Sequence, residues 1–200
     1  ILRGYSSSLY FAAEFLQELD MKVHSPKSIV SSAERLSKKM RVSIEKVFNS
    51  EVYDSYGARE VSQVAMECKF HKMHISEENQ IVELISNNET YGKDLKNIVI
   101  TNLNNFCMPI IRYEIGDLAQ SLSNESCGCG RNMSLLNGLA GRENENIILN
   151  NGKVVNGEYF EFLFEDITQV DRYQVLYIKS KDTLEFRLSA SANRNYIEGF

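Results

Sequence analysis

Residues 108 to 119 read MPIIRYEIGDLA. Ile110, Ile111, Tyr113 and Ile115 form the β-branched and aromatic run of a buried strand, which passes straight into Gly116 and Asp117. A strand needs only a turn to end, and a Gly-Asp pair makes one. An acid beside a residue without a side chain also suits a polar ligand. A carboxylate accepts hydrogen bonds through two oxygens, and glycine lets the backbone turn at close range. On this stretch alone both readings stand.

Upstream, the pattern alternates. SSLYFAAEFLQELD predicts a helix, with Leu9, Ala12, Ala13, Leu16 and Leu19 at helical intervals and a serine cluster capping its start. KSIVSS predicts a short strand, and SAERLSKKMRVSIEKVF a second helix with Leu36, Met40, Ile44 and Val47 on one face. SEVYDSYG predicts the next strand. Such alternation implies a parallel sheet with crossover helices, and ligands then bind beyond the carboxyl ends of the strands. The loops so marked are SSAE after Val30 and YGARE after Tyr53.

From about residue 61 the pattern turns antiparallel. MHISEENQIVELIS is hairpin-like, NIVITNL and MPIIRYEIGDLAQSL are strands, and NIILNNGKVV is a hairpin turning at Asn151-Gly152. NGEYFEFLFEDI predicts a helix whose aromatic run is core, and YQVLYIKS and TLEFRLSAS a final strand pair joined at Lys181-Asp182. Two glycines and a polar run mark a boundary in GLAGRENEN, residues 138 to 146.

The 200 residues are 43% hydrophobic and 24% charged, which places the chain among globular proteins. With 22 basic against 27 acidic residues its net charge is −5, which argues against a nucleic-acid partner, since backbone binding needs excess Lys and Arg. No apolar run reaches the roughly 18 to 20 residues of a membrane span, and no signal-peptide pattern opens the chain. It reads as soluble and cytoplasmic. The first residues, ILRGYSSSLY, lack Met and the last are NYIEGF, so an internal fragment of a longer protein is expected.

Three segments carry a resemblance when taken together: YGARE at 56 to 60, RYEIGDLA at 112 to 119 and GRENENIILNNGKVV at 141 to 155. With LRGYSSSLY, SSAERL, MPIIRY and CGCGR in the same order, they resemble the adenylate-forming enzymes, in the phenylacetate-CoA ligase branch and nearest its CapK-type relatives of capsular polysaccharide synthesis. The resemblance implies an α/β fold of ANL type. Residues 1–141 would be the latter part of the large AMP-binding domain, a parallel sheet plus an antiparallel β subdomain. Residues 142–200 would open a small α+β C-terminal domain after a hinge. It also implies a reaction in which ATP and magnesium activate a carboxylic acid as an acyl-adenylate, which a thiol, usually that of coenzyme A, then captures. The partners expected are a small-molecule carboxylic acid and a nucleotide, with a homodimer as a further expectation. The family's triphosphate-cradling loop is expected before Ile1 and its catalytic lysine after Phe200, so the fragment alone is expected to be inactive. The acid substrate is not readable.

Residue roles follow from the same resemblance. Asp117 would bind both ribose hydroxyls, Tyr56 would pack on adenine, and Gly57 would let the base approach the main chain. Glu60 would act in catalysis by holding magnesium, although Arg59 stands where a small hydroxyl residue is usual, and an Arg-Glu surface pair is the plain alternative. Ser32, Ala33 and Glu34 would line the adenine edge; otherwise Ser32 caps a helix and Glu34 is solvated. Arg142 would reach ribose or phosphate as a catalytic and binding residue, or serve as a solvated linker charge. Asn144 replaces the hinge acid.

Four cysteines stand at 68, 107, 127 and 129. In a reducing compartment such a set is metal-binding or inert rather than disulfide-bonded. CGCG offers two thiols on a loop that glycines make tight, and Cys68 with His71 or His74 would complete a tetrahedral zinc site. The alternative is apolar filler, expected for Cys107 between Phe106 and Met108. Relatives in this branch favour His74 over His71, giving Cys68, His74, Cys127 and Cys129 as ligands of a structural zinc that joins loops roughly sixty residues apart.

Overall fold

The computed structural model describes residues 1–86, 95–143, 146–155, 157–165, 167 and 170–190. The first part is β1 (Leu2–Tyr5), α1 (Ser6–Glu18), β2 (Ile29–Ser32), α2 (Lys38–Phe48) and β3 (Val52–Ala58). The three strands run parallel, Leu2 opposite Ile29 and Ile29 opposite Val52. Leu9 and Ala13 of α1 and Ile44 and Phe48 of α2 bury against Ile29 and Val52, which is the core that the alternation implies. Ser37 caps α2, its side chain accepting from the Met40 N–H at 3.2 Å, and Asn49 ends the helix in left-handed geometry at φ 48°.

The chain continues antiparallel through β4 (Ser62–Glu67), β5 (Met73–Ile75), β6 (Gln80–Ser86), β7 (Lys96–Asn102), β8 (Tyr113–Ala119), β9 (Ser121–Ser123) and β10 (Leu135–Asn137). One seven-stranded sheet has the order β1-β2-β3-β4-β5-β10-β9, and β6-β7-β8 form a second. Val64, Ile75 and Leu136 of the first bury with Ile98 and Ile100 of the second, so the two sheets share a core. Beyond them lie the hairpin β11 (Ile147–Ile148) with β12 (Val154–Val155), then α3 (Gly157–Glu165), then the pair β13 (Val170–Ile178) with β14 (Thr183–Ala190). The aromatic run of α3 is core only in part: Phe160 is 4% exposed and the Phe164 ring stands 4.6 Å from that of Tyr173, whereas Tyr159 is 61% exposed. Among the described residues, no helix is long and apolar enough to cross a membrane.

Several local expectations are corrected. β1 was not anticipated, because LRGY is too short and mixed to show a period. The serines do not cap α1: Tyr5 holds the cap position without a side-chain bond, Ser6 Oγ lies 2.6 Å from Ser31 Oγ, and the Glu34 carboxylate accepts the Ser7 N–H at 2.9 Å. Glu34 is thus occupied at a helix N-terminus, where an acid is favourable. α2 begins at Lys38, not at residue 32, because Ser31 and Ser32 pair in β2 and Ala33 turns the chain at φ 69°. Tyr56, Gly57 and Ala58 lie in β3 and only Arg59 to Val61 form the turn. MHISEENQIVELIS is no hairpin, since β5 and β6 belong to different sheets. Cys107 is exposed, between Phe106 at 86% and Met108 at 65%, so it is not core filler. Asn144 lies outside the described residues.

The stretch 108 to 119 is also reordered. Residues 108 to 112 are irregular, with Arg112 at φ 49°, and β8 starts at Tyr113. Asp117 therefore sits inside a strand rather than at its end. Between the pairs Val99↔Glu114 and Asn97↔Leu118 the register slips, and Gly116, at φ 79°, occupies the bulge. A bulge re-aims the side chain that follows it, and glycine takes this φ without strain.

Candidate functional site

Asp117 faces a cleft of about 510 Å³, a size that suits a small-molecule ligand. The Tyr56 hydroxyl donates to Asp117 Oδ2 at 2.8 Å, and Arg142 Nε lies 3.6 Å from Asp117 Oδ1. Arg142 is delivered by an antiparallel bridge to Asp117, flanked by Leu118 N–H to the Gly141 carbonyl at 3.0 Å and Ala140 N–H to the Leu118 carbonyl at 2.9 Å. The three residues expected to converge from segments far apart in sequence do so. Burial pushes the Tyr56 phenol well above its ordinary pKa, and the Asp117 charge and its hydrogen bond add to this. The phenol therefore stays a donor to Asp117.

Of the other expected residues, Ala33, Glu34 and Gly57 line this cleft. Ser32 does not: it pairs within β2 opposite Tyr5 and Ser55. Glu60 is exposed on the β3–β4 turn, outside the cleft lining, and the structure does not bring it to Asp117. Gly57 has a structural reason of its own. A Cβ there would stand 2.2 Å from the Ser62 carbonyl oxygen, where the β3–β4 register shifts. Reading the sequence missed Asp54, Ser55 and Leu139, which also line the cleft. Asp54 had a signal, since an acid two residues before Tyr56 shares its face of the strand. Burial pushes the Asp54 carboxyl up to about 6, helped by the charge of Glu67 and opposed by the Ser55 amide, Arg41 and the Ser31 hydroxyl.

A second constellation joins β4, β5 and the loop before β10. The ligand atoms of Cys68, His74, Cys127 and Cys129 all lie within 4.8 Å of one another. Cys68 Sγ and Cys127 Sγ are 3.7 Å apart, and Cys129 Sγ is 3.4 Å from His74 Nε2. A zinc with Zn–S bonds of about 2.3 Å at tetrahedral angles sets its sulfurs roughly 3.8 Å apart, whereas a disulfide needs about 2.05 Å. The donor set therefore fits zinc. His74 Nδ1 meets the Met133 carbonyl at 3.3 Å, which leaves Nε2 free to ligate. Burial alone would push the Cys68 thiol up, but backbone hydrogen bonds at Phe70 and Lys72 and contacts with Cys127 and His74 bring it down to about 6. His71 is not in the set; it stacks on Tyr53 and meets Glu67 at 3.2 Å.

No family model matches the chain. The Protein CapK of Staphylococcus aureus is 27% identical over 125 residues, covering 62% of this chain and 27% of that protein. Among solved structures, 2-hydroxyisobutyryl-CoA ligase in complex with 2-HIB-AMP superposes with a TM-score of 0.73 at 20% identity, over 93% of this chain and 42% of that one. The A domain of the carboxylic acid reductase from Segniliparus rugosus, in complex with AMP and a carboxylic acid, gives 0.63 at 14% identity, over 93% of this chain and 33% of that one. The chain thus spans less than half the length of each of these relatives. The chain therefore shares the fold of these solved ligase and reductase-domain structures.

Proposed function

We propose that the chain is the nucleotide-binding portion of an enzyme that activates a carboxylic acid with ATP. The observation that carries this reading is the meeting of Tyr56, Asp117 and Arg142 in one cleft. A carboxylate accepts through two oxygens, which suits Asp117, facing the cleft, to the paired hydroxyls of a ribose. Tyr56 fixes that carboxylate and forms part of the wall on which a base rests. Arg142, 61% exposed at its side chain, supplies a mobile positive charge for ribose or phosphate oxygens.

In the first half-reaction the acid's carboxylate oxygen attacks the α-phosphorus of ATP, pyrophosphate leaves with the electron pair of the broken P–O bond, and an acyl-adenylate results. A thiol then attacks the acyl carbon and AMP departs, giving a thioester. Coenzyme A as that thiol rests on similarity to 2-hydroxyisobutyryl-CoA ligase, solved in complex with 2-HIB-AMP and CoA. Glu60, exposed on its turn, does not show the fit that a magnesium ligand in the cleft requires, and no step is assigned through it. Zinc would supply a structural cross-link, with Cys68 and His74 holding the β4–β5 connection and Cys127 and Cys129 the segment leading to β10. The division at 141/142 into a large and a small domain belongs to the same reading.

Carboxylate-dependent exchange of labelled pyrophosphate into ATP by the full-length protein tests the proposal. Exchange with at least one acid supports it, and none across a broad panel overturns it. The position of Glu60 favours one alternative, a zinc-stabilised non-catalytic scaffold or partner-binding protein derived from the same fold. That protein would hold zinc and show no exchange.

A further inference from the structure

An ionic cluster borders the cleft without lining it. Arg41 comes from α2, Glu67 from the end of β4 and His71 from the turn that follows. The Glu67 side chain is 10% exposed, and its carboxylate accepts twice from Arg41 Nη2, at 2.8 and 2.9 Å, and from the Asp54 backbone N–H at 2.9 Å. Arg41 Nη1 donates to the Val52 carbonyl and lies 3.0 Å from His71 Nδ1. One ion pair thus grips β3 at two backbone groups on either side of Tyr53. Immediately beyond come Asp54, Ser55, Tyr56 and Gly57, which are the residues of β3 that line the cleft.

Desolvating two charges costs about as much as their attraction returns, so stability alone is a weak reason for such a pair. Its location gives a stronger one. The pairing of β3 with β4 begins at Ser55↔Met66, one residue beyond Asp54, and there the Glu67 carboxylate receives the Asp54 N–H. We propose that the Arg41–Glu67 pair is a positioning unit for the nucleotide cleft, holding the Asp54 backbone so that the Asp54 carboxyl meets the bound nucleoside. This rests on the nucleotide reading of the site. The groups that act on Asp54 are Glu67, Arg41, the Ser55 amide and the Ser31 hydroxyl. Glu34, Arg35, Asp117 and Arg142 share the cleft with it.

The test is adenosine binding by the full chain as a function of pH. Adenosine carries no phosphate and is neutral in this range, so an inflection reports the protein. Wild type is expected to show an inflection near the Asp54 value of about 6. Glu67→Gln keeps an acceptor oxygen but removes the charge that lifts Asp54. It is expected to move the inflection to lower pH and to weaken binding several-fold, with zinc content near wild type and a lowered melting temperature, since Arg41 loses its counter-charge. Arg41→Lys should retain part of the affinity that Arg41→Met loses. If Arg41→Met does not fold, Glu67→Gln and Arg41→Lys still decide. Wild-type affinity and inflection in Glu67→Gln and Arg41→Lys, beside a wild type that binds adenosine, overturn this proposal alone. A wild type that fails to bind adenosine, or binds it equally well as Asp117→Asn, overturns the nucleotide reading and this proposal with it.

Discussion

Asp117 owes its direction to the residue before it. Gly116 takes φ 79° in the bulge, and a side chain there would add strain on the order of 1–2 kcal/mol while turning the carboxylate away. Asp117→Asn keeps the shape and removes the charge. Because hydrogen bonds to a charged group contribute about 1.5–3 kcal/mol each, AMP affinity measured by calorimetry should fall at least about tenfold. Asp54 makes a prediction of opposite sign for stability. Its folded value of about 6 exceeds the ordinary 3.8, so the folded state binds more protons. Stability should be greatest below about pH 4 on this group's account and decline as pH rises through about 6, by roughly 2–3 kcal/mol. Denaturant unfolding of Asp54→Asn should show that slope flattened and neutral-pH stability raised. An unchanged slope would contradict the burial that the fold assigns to this carboxyl.

At the scale of elements, β3, β4, β8 and β10 do the positioning. Gly57→Ala sets a Cβ against the Ser62 carbonyl at 2.2 Å, so β3 and β4 must separate locally. Thermal melting should drop by several degrees, and the Tyr56–Asp117 contact should loosen with it. The proposed zinc site would tie β4, β5 and β10 together, through Cys68 after β4, His74 in β5 and Cys129 before β10. One equivalent of zinc per chain is expected, lost in Cys127→Ser. Chelation should lower the melting temperature by on the order of 10 °C, since a metal that bridges distant segments contributes several kcal/mol. Melting unmoved by chelator would remove the cross-link. Much of this was legible in the sequence. Residue periods, a local property, separated the parallel from the antiparallel half; thiol and imidazole chemistry marked the candidate ligands, and the resemblance to relatives favoured His74 over His71. The bulge at Gly116, the split of β5 from β6 and the exposure of Cys107 were not legible, because register and sheet membership are decided by which strands meet. Glu34 as the cap of α1 was hidden for the same reason, its partner Ser7 lying across the loop that Ala33 turns.

Over the whole molecule, the cleft and the Cys/His cluster are joined through the seven-stranded sheet, with Asp117 brought to the cleft from β8 of the second sheet. β4 runs from the Gly57 contact to Glu67 and Cys68, and the segment after β10 leads to Gly141 and Arg142. The Asp117–Arg142 bridge holds the start of the C-terminal part against β8, so rotation of that part would have to break an ion pair that is exposed on the arginine side and therefore weak. Arg142→Ala should leave melting nearly unchanged and lower pyrophosphate exchange by the full-length protein, a split that a purely structural arginine would not give. The most direct test is a crystal structure of the protein with AMP. Both ribose hydroxyls are expected within hydrogen-bond distance of the Asp117 carboxylate, with Tyr56 and Arg142 touching the same nucleotide. AMP bound elsewhere, or in this cleft with its ribose turned away from Asp117, would contradict that arrangement.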